Sequence, residues 1–163
     1  MTTVLTKKEI EMIKERIEDR VAGFVQTYAD TITKNYRQYH IRTLKGNLSG
    51  NYPEYAREQL DAIEKGTEKL MYFKIKTGKK FYKIVQMNFD TFQNRNEYRE
   101  GSVHAFVDKK TGQVYKPASW QAPAKHVRYD LRIIKEREFL FKSNNTDCAG
   151  GDLYLSNLPF ITI

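Results

Sequence analysis

Apolar side chains recur every three or four residues along the first part of the chain. Seven residues share this period: Ile10, Ile13, Ile17, Val21, Phe24, Tyr28 and Ile32. The spacing places them on one face of an α-helix as a heptad-like stripe. Thr6 and Glu9 have the spacing of a capping box, so we expect the helix to begin there. The pattern favours a helix that continues toward His40, and the segment from Gly46 to Gly50 ends it.

The length of this helix limits how the chain can fold. A helix of about 30 residues is roughly 45 Å long, which is more than a small core covers. The helix therefore bends, packs along a second helix and the rest of the core, or pairs with another chain. The sequence leaves packing against the core and dimerisation open as alternatives.

A second helix is predicted to begin near Pro53, since proline fits the first turn and Glu54 suits its positive end. Gly66 ends it. Apolar residues such as Leu60 and Ile63 give this helix one apolar face, so the two helices can form an αα-hairpin.

The rest of the chain has the patterns of β-strands and tight turns. Residues 70–87 predict a hairpin that turns near Gly78, and residues 103–107 and 113–116 predict another. In the second, the Asp108 carboxylate can accept hydrogen bonds from the following amides, and Gly112 can adopt a positive φ. We expect a loop or ragged helix over 90–101, a strand over 127–131, a helix over 134–142, and a final strand at 153–155 and the C-terminal end.

Helices first and strands later predict an α+β fold. We expect one domain over 1–163, in which a helical part, 6–65, packs on one face of a mostly antiparallel sheet. The sheet, within residues 69–163, has four to six strands.

The net charge of +8 is concentrated in the middle of the chain. Residues 1–34 have 6 Lys and Arg against 6 Asp and Glu, residues 35–85 have 11 against 5, and residues 86–163 have 11 against 9. Such a local basic excess favours polyanions, either nucleic acid or an acidic protein surface.

The first hairpin supplies the candidate binding residues. Alternation along a strand places Tyr72, Lys74 and Lys76 on one face and Phe73 and Ile75 on the other. Further candidates on this hairpin are Lys79, Lys80, Lys83 and Tyr82. The lysines would contact phosphates and the tyrosines would stack on bases. The alternative is that these lysines only keep exposed strands soluble.

A loop with two prolines, residues 117–125, follows the second hairpin and contains Trp120. Lys116, Lys125 and Arg128 flank it in sequence. An aromatic ring among cations can stack on a base while the cations meet phosphates. The alternative is that Trp120 closes the edge of the core.

The segment SVHAFVDKKTGQVYKPASWQAPAKHVRYDL, residues 102–131, resembles one found in small uncharacterised proteins of tailed bacteriophages, marine T4-like phages among them. The basic hairpin at 76–84 and the Gly-Gly segment at 149–155 extend the resemblance to about residues 70–155. The resemblance implies a phage source and carries over no site residues.

The sequence has no residue pattern typical of a metal site, a catalytic centre or a membrane segment. His40, His104, His126 and Cys148 are scattered, so we expect no metal site, no cofactor and no catalytic centre. A Cys–His pair formed by Cys148 with His104 or His126 is the weakest of the hypotheses. The sequence has no apolar run long enough to span a membrane, no signal-peptide pattern at its N-terminus and one cysteine, which suits a reducing compartment.

These observations favour a phage-type accessory protein in the host cytoplasm that binds a polyanion, with nucleic acid as the first candidate, without catalysis. The alternative is a virion component or a factor that binds a host protein through the long N-terminal helix, which can also form a homodimer.

Overall fold

The computed structural model describes residues 4–142, 145–146 and 148–159. It contains three α-helices and five β-strands, which in chain order are α1 (Lys7–Asn47), α2 (Pro53–Lys65), β1 (Tyr72–Thr77), β2 (Phe81–Asp90), β3 (Glu97–Asp108), β4 (Gln113–Tyr115), β5 (Tyr129–Asp130) and α3 (Ile134–Phe141). The five strands form one antiparallel sheet in the order β1-β2-β3-β4-β5. The predicted α+β class, with helices on one face of an antiparallel sheet, is confirmed.

The capping box at the start of α1 is formed as predicted. The Glu9 amide donates to Thr6 Oγ1 at 3.2 Å, and the Thr6 amide donates to Glu9 Oε2 at 2.7 Å. The helix then runs for 41 residues. It is therefore about 60 Å long, which exceeds the predicted length.

The apolar stripe of α1 divides into a buried part and an exposed part. Val21, Tyr28 and Ile32 of the stripe are buried in the main core together with Val25, and Phe24 is partly buried against it. Ile10, Ile13 and Ile17 are 39%, 42% and 40% exposed. We call residues 7–20 the free segment of α1, because the helix reaches the core of its own chain at Val21.

The C-terminal part of α1 packs on α2 as the predicted αα-hairpin. Leu44 forms a small second core with Ala56 and Ile63. Pro53 occupies the first turn of α2, and Gly66 ends the helix with φ of 73°, a conformation that glycine adopts without strain.

One face of the sheet packs against the buried part of α1. This face contributes Phe73, Tyr82, Ile84, Ala105, Val107 and Val114 to the main core. The β3–β4 turn has the predicted form: Asp108 Oδ1 accepts from the amides of Lys110 and Thr111 at 2.8 and 3.0 Å, and Gly112 has φ of 71°.

Two predicted elements are wrong. Residues 97–101, predicted as loop, belong to β3, because three residues with positive φ (Gln93, Asn94 and Asn96) complete the turn within a shorter connection. Residues 153–155 are predicted as a strand, but Leu153 ends one short 3-10 turn and Leu155 begins another. Arg128 donates to the Leu153 carbonyl there, and Tyr129 donates to the Asp152 carbonyl. These two carbonyls are therefore not free to pair with a neighbouring strand. The predicted strand at the C-terminal end includes residues 160–163, which lie outside the described part of the chain.

Two isoleucines of the same helical stripe test this division of α1. Ile32→Ala should lower the free energy of unfolding by about 2–5 kcal/mol, because it leaves a cavity in the main core. Ile17→Ala should lower it by less than about 0.5 kcal/mol, because this side chain is partly in solvent. Urea denaturation at low micromolar protein measures both values, and equal losses would contradict the division.

Candidate functional site

The sheet face turned away from α1 carries lysines and aromatic rings in neighbouring positions. We call it the outer face. Across the strands, Lys76 is the register partner of Lys83, Lys83 of Phe106, and Phe106 of Tyr115. Lys83 Nζ lies 5.6 Å from the centre of the Phe106 ring. As predicted, Lys74 and Lys76 lie on this face, while Phe73 and Ile75 pack toward the core.

The loop that contains Trp120 folds over the outer face. Pro117 and Pro123 form an antiparallel bridge at its base, and the Ala124 amide donates to the Lys116 carbonyl at 2.7 Å. Lys83 Nζ donates to the Trp120 carbonyl at 2.7 Å. The ammonium groups of Lys83 and Lys76 lie 5.3 and 5.8 Å from the centre of the indole ring. Trp120 remains 36% exposed, so this loop places part of an aromatic ring beside two cations at the surface.

Glu100 partly neutralises the outer face. Its carboxylate lies 3.3 Å from Lys74 Nζ and 3.2 Å from Lys76 Nζ. The hydrogen bonds from Lys76 and Lys74 lower the pKa of Glu100 below its ordinary value. Two of the predicted phosphate-binding lysines therefore share an acidic partner that is distant from them in sequence.

The turns of two hairpins meet at one end of the sheet. The Lys109 amide donates to the Lys80 carbonyl at 3.0 Å, which holds the β3–β4 turn against the β1–β2 turn. Lys79, Lys80 and Lys110 are exposed and Lys109 is half-buried. We call these four residues the lysine tip.

Lys109 and Lys110 have the sequence context of turn residues and were not predicted as binding residues. Their position follows from the topology, because alternate turns of an antiparallel meander lie at the same end of the sheet. Two predicted hairpins of this kind are the signal that could have joined the β1–β2 turn with the β3–β4 turn.

Tyr82 does not belong to this surface. Its side chain lies on the opposite face of β2, in the main core against α1. Burial raises its pKa, and the carboxylates of Glu18 and Asp19 on α1 contribute. The prediction that Tyr82 stacks on a base is wrong, because both Tyr82 and Ile84 face the core while Lys83 faces outward.

Arg128 does not belong to the outer face either. Its buried guanidinium donates to three carbonyls: that of Leu153 at 2.6 Å, that of His126 at 2.7 Å and that of Lys125 at 2.8 Å. Burial lowers its pKa. Arg128 thus joins two loops to each other, and the prediction that it contacts phosphate is wrong.

The remaining predicted residues are spread over the surface. Tyr72 packs edge-to-face on Tyr98 with ring centres 4.9 Å apart. Tyr72 is the first residue of β1, and the strand ends at Thr77, next to the lysine tip. Tyr72 therefore lies about 17 Å from the lysine tip. Lys116 lies 4.9 Å from the centre of the Tyr154 ring, and Lys125 is exposed in the Trp120 loop. The structure therefore brings Lys76, Lys83 and Trp120 together and leaves Tyr72 apart from them.

His104 and Cys148 line a common cavity of about 320 Å³, with Gly150 and Leu153. His104 is buried between the rings of Tyr28 and Phe73, whose centres lie 6.2 and 5.2 Å away. His126 is exposed and directly follows the Trp120 loop. Within residues 4–142, 145–146 and 148–159, no three His, Cys, Asp or Glu side chains come together as a possible metal site.

Among the helices of the described residues, none combines the length and the apolar character that crossing a bilayer requires.

The fold and the surface define a class of protein: an α+β protein with a long helix on one face of a five-stranded meander and a basic, aromatic surface on the other. The chain belongs to a family of unknown function (DUF7717), which matches residues 6–155. The match includes both the long helix and the sheet. No curated protein and no solved structure matches the chain.

Arg128→Lys tests the structural role of Arg128. Lysine keeps the charge but cannot donate to three carbonyls in a fixed plane. We expect the free energy of unfolding to fall by about 2 kcal/mol, since hydrogen bonds from a charged group are lost. Urea denaturation measures this change. A variant with unchanged stability would show that the three hydrogen bonds do not hold the loops.

Proposed function

We propose that the protein binds a polyanion without catalysis, and that this polyanion is nucleic acid. The observation that carries the proposal is the lysine tip, where a backbone hydrogen bond joins two hairpin turns and four lysines lie at one end of the sheet. Lys76 and Lys83 extend this positive surface along the outer face. Two of the four lysines of the tip, Lys79 and Lys80, belong to the basic middle part of the sequence, residues 35–85.

The chemistry of the surface favours contacts with the phosphate backbone and not recognition of a specific base sequence. Lysine ammonium groups act as flexible point charges, which suit phosphate oxygens in many arrangements. Binding of this kind releases counterions and weakens steeply with salt. Trp120 adds an aromatic ring that an unpaired base can stack on, while a duplex keeps its bases stacked inside. We therefore expect single strands to bind more tightly than duplexes.

The biological setting that we propose is that of a phage-type accessory protein in the cytoplasm of an infected host. Its support is the resemblance of residues 102–131 to a segment of phage proteins.

The free segment of α1 supports a second candidate function. Ile10, Ile13 and Ile17 are large apolar side chains with about two fifths of their surface exposed. An exposed apolar stripe on a helix is a common way to bind another protein. A virion component or a factor that binds a host protein would use this surface.

Fluorescence anisotropy with a labelled single-stranded oligonucleotide at about 50 and 200 mM salt tests the first proposal. Replacing Lys79, Lys80, Lys109 and Lys110 by Gln should weaken binding by roughly tenfold or more at the lower salt. It should also reduce the slope of log affinity against log salt by about 3, since four phosphate contacts are lost.

The matched control removes four exposed lysines elsewhere, Lys34, Lys45, Lys135 and Lys142, and has the same net charge. It should bind much more tightly than the lysine-tip variant. Equal weakening of both variants would show that only net charge matters, and an absence of binding at 50 mM salt would overturn the proposal.

Glu100→Gln should change the oligonucleotide affinity in the opposite direction. Removing this carboxylate frees Lys74 and Lys76 from an acidic partner, so oligonucleotide affinity should rise by about threefold or more at low salt. Mild acidification does not produce the same effect, because the lowered pKa keeps Glu100 ionised below the ordinary range of a glutamate.

Glu97→Gln is the control, because Glu97 is an exposed acid at the far end of the same strand and its loss changes the net charge equally. If Glu97→Gln raises the affinity as much as Glu100→Gln does, the outer face is not the binding surface.

A further inference from the structure

The free segment of α1 has a self-complementary pattern. Ile10, Ile13 and Ile17 are spaced by three and four residues, as a and d positions of a heptad are. They lie on the same helical face as Val21 and Ile32, which the sheet of the same chain covers. The stripe that packs inside the monomer therefore continues into solvent for three more turns.

We infer that a second copy of this chain covers the free segment, with the two α1 helices antiparallel and related by a two-fold axis. This second copy would be the partner bound by the free segment in the second candidate function, whether or not the protein binds nucleic acid. A two-fold contact uses the same patch on both copies, which suits a short stripe of three isoleucines.

The structure excludes the parallel arrangement. A parallel partner helix would follow the stripe past Ile17 to Val21 and Val25, where the sheet already lies. An antiparallel partner instead runs away from that sheet, and each globular part lies beyond the N-terminus of the other helix. The isoleucines can then pack without displacing the core of either chain.

The charges that flank the stripe select the register. Glu9 and Arg16 are seven residues apart and therefore flank it on the same side. When Ile10 faces the partner's Ile13, Glu9 lies beside the partner's Arg16, and the symmetry makes this ion pair twice. A shift by one heptad would bring Arg16 against the partner's Arg16 and is disfavoured.

The charges on the other side of the stripe, those of Lys7 and Lys14, weaken the association. In the same register Lys7 lies near the partner's Lys14, although Glu11 and Glu18 are one turn from Lys14 along its own helix. The interface is also small, since a standard interface buries about 800 Å² on each partner, and in this register only Ile10 and Ile13 face isoleucines of the partner, while Ile17 faces the partner's Thr6. We therefore expect a dimer that dissociates in the micromolar range.

Sedimentation velocity of the full chain over a series of concentrations tests the dimer. The wild type should shift from monomer to dimer between about 1 and 100 μM, a range set by the expected affinity. Ile13→Glu places a charge on the stripe and should weaken the dimer at least tenfold. Met12→Glu is the matched control: Met12 is 45% exposed but lies on the opposite side of the helix, so the dimer should persist.

Circular dichroism shows that each variant keeps its helices. A wild type that stays monomeric at 100 μM overturns the inference, and so does equal weakening by Met12→Glu and Ile13→Glu.

Charge reversal tests the register. Arg16→Glu should weaken the dimer, because it faces the partner's Glu9. Glu9→Arg combined with Arg16→Glu should restore it, although the double variant also loses the capping glutamate. In a parallel dimer Glu9 would meet Lys14 instead, so failure of the double variant to restore association would overturn the register.

Small-angle X-ray scattering of the dimer tests the orientation. In the antiparallel register the two helices span about 71 residues end to end, or roughly 110 Å at 1.5 Å per residue. A parallel pair would keep the length of one helix, about 60 Å. A maximum dimension well below 110 Å at dimer concentrations would contradict the antiparallel arrangement.

Discussion

The packing of α1 against the sheet is the interaction on which the rest of the fold depends. The helix has 41 residues, and its five buried apolar residues from Val21 to Ile32 belong to the main core. The helix also places Leu44 in the second core with α2. Because one rigid element joins both cores, the position of the sheet along α1 determines how much of the helix remains free.

The same packing determines which side of the sheet can have a function. α1 takes the face with Tyr82 and Ile84, which leaves Lys76, Lys83 and Phe106 on the outer face. The Trp120 loop covers part of the outer face, where Lys83 donates to the Trp120 carbonyl and Phe106 is buried. The division of residues between the two faces thus follows from the alternation along β2.

Features that depend on neighbours in sequence could be predicted. The capping box at Thr6, the proline at the start of α2, and the Asx-turn at Asp108 each follow from chemistry within a few residues, and all three are formed. The fold class also followed, because helical and strand patterns occupy separate parts of the chain.

Features that depend on distant contacts could not be predicted. The salt bridges of Glu100 join residues about 25 positions apart, and the lysine tip joins two separate turns. Arg128 has the sequence context of a surface cation, yet its donors satisfy carbonyls of loops that the fold brings together. The apolar stripe of α1 is continuous in sequence, and only the position of the sheet shows that its first three turns are exposed.

Hydrogen–deuterium exchange along α1, followed as protein concentration rises, tests this account of the helix most directly. We expect residues 21–44 to be protected at every concentration, because they hold the two cores together. Residues 7–20 should exchange quickly in dilute protein and slow down as the concentration increases. Strong protection of residues 7–20 in the most dilute sample would contradict the account, because it would mean that the free segment already packs against its own chain.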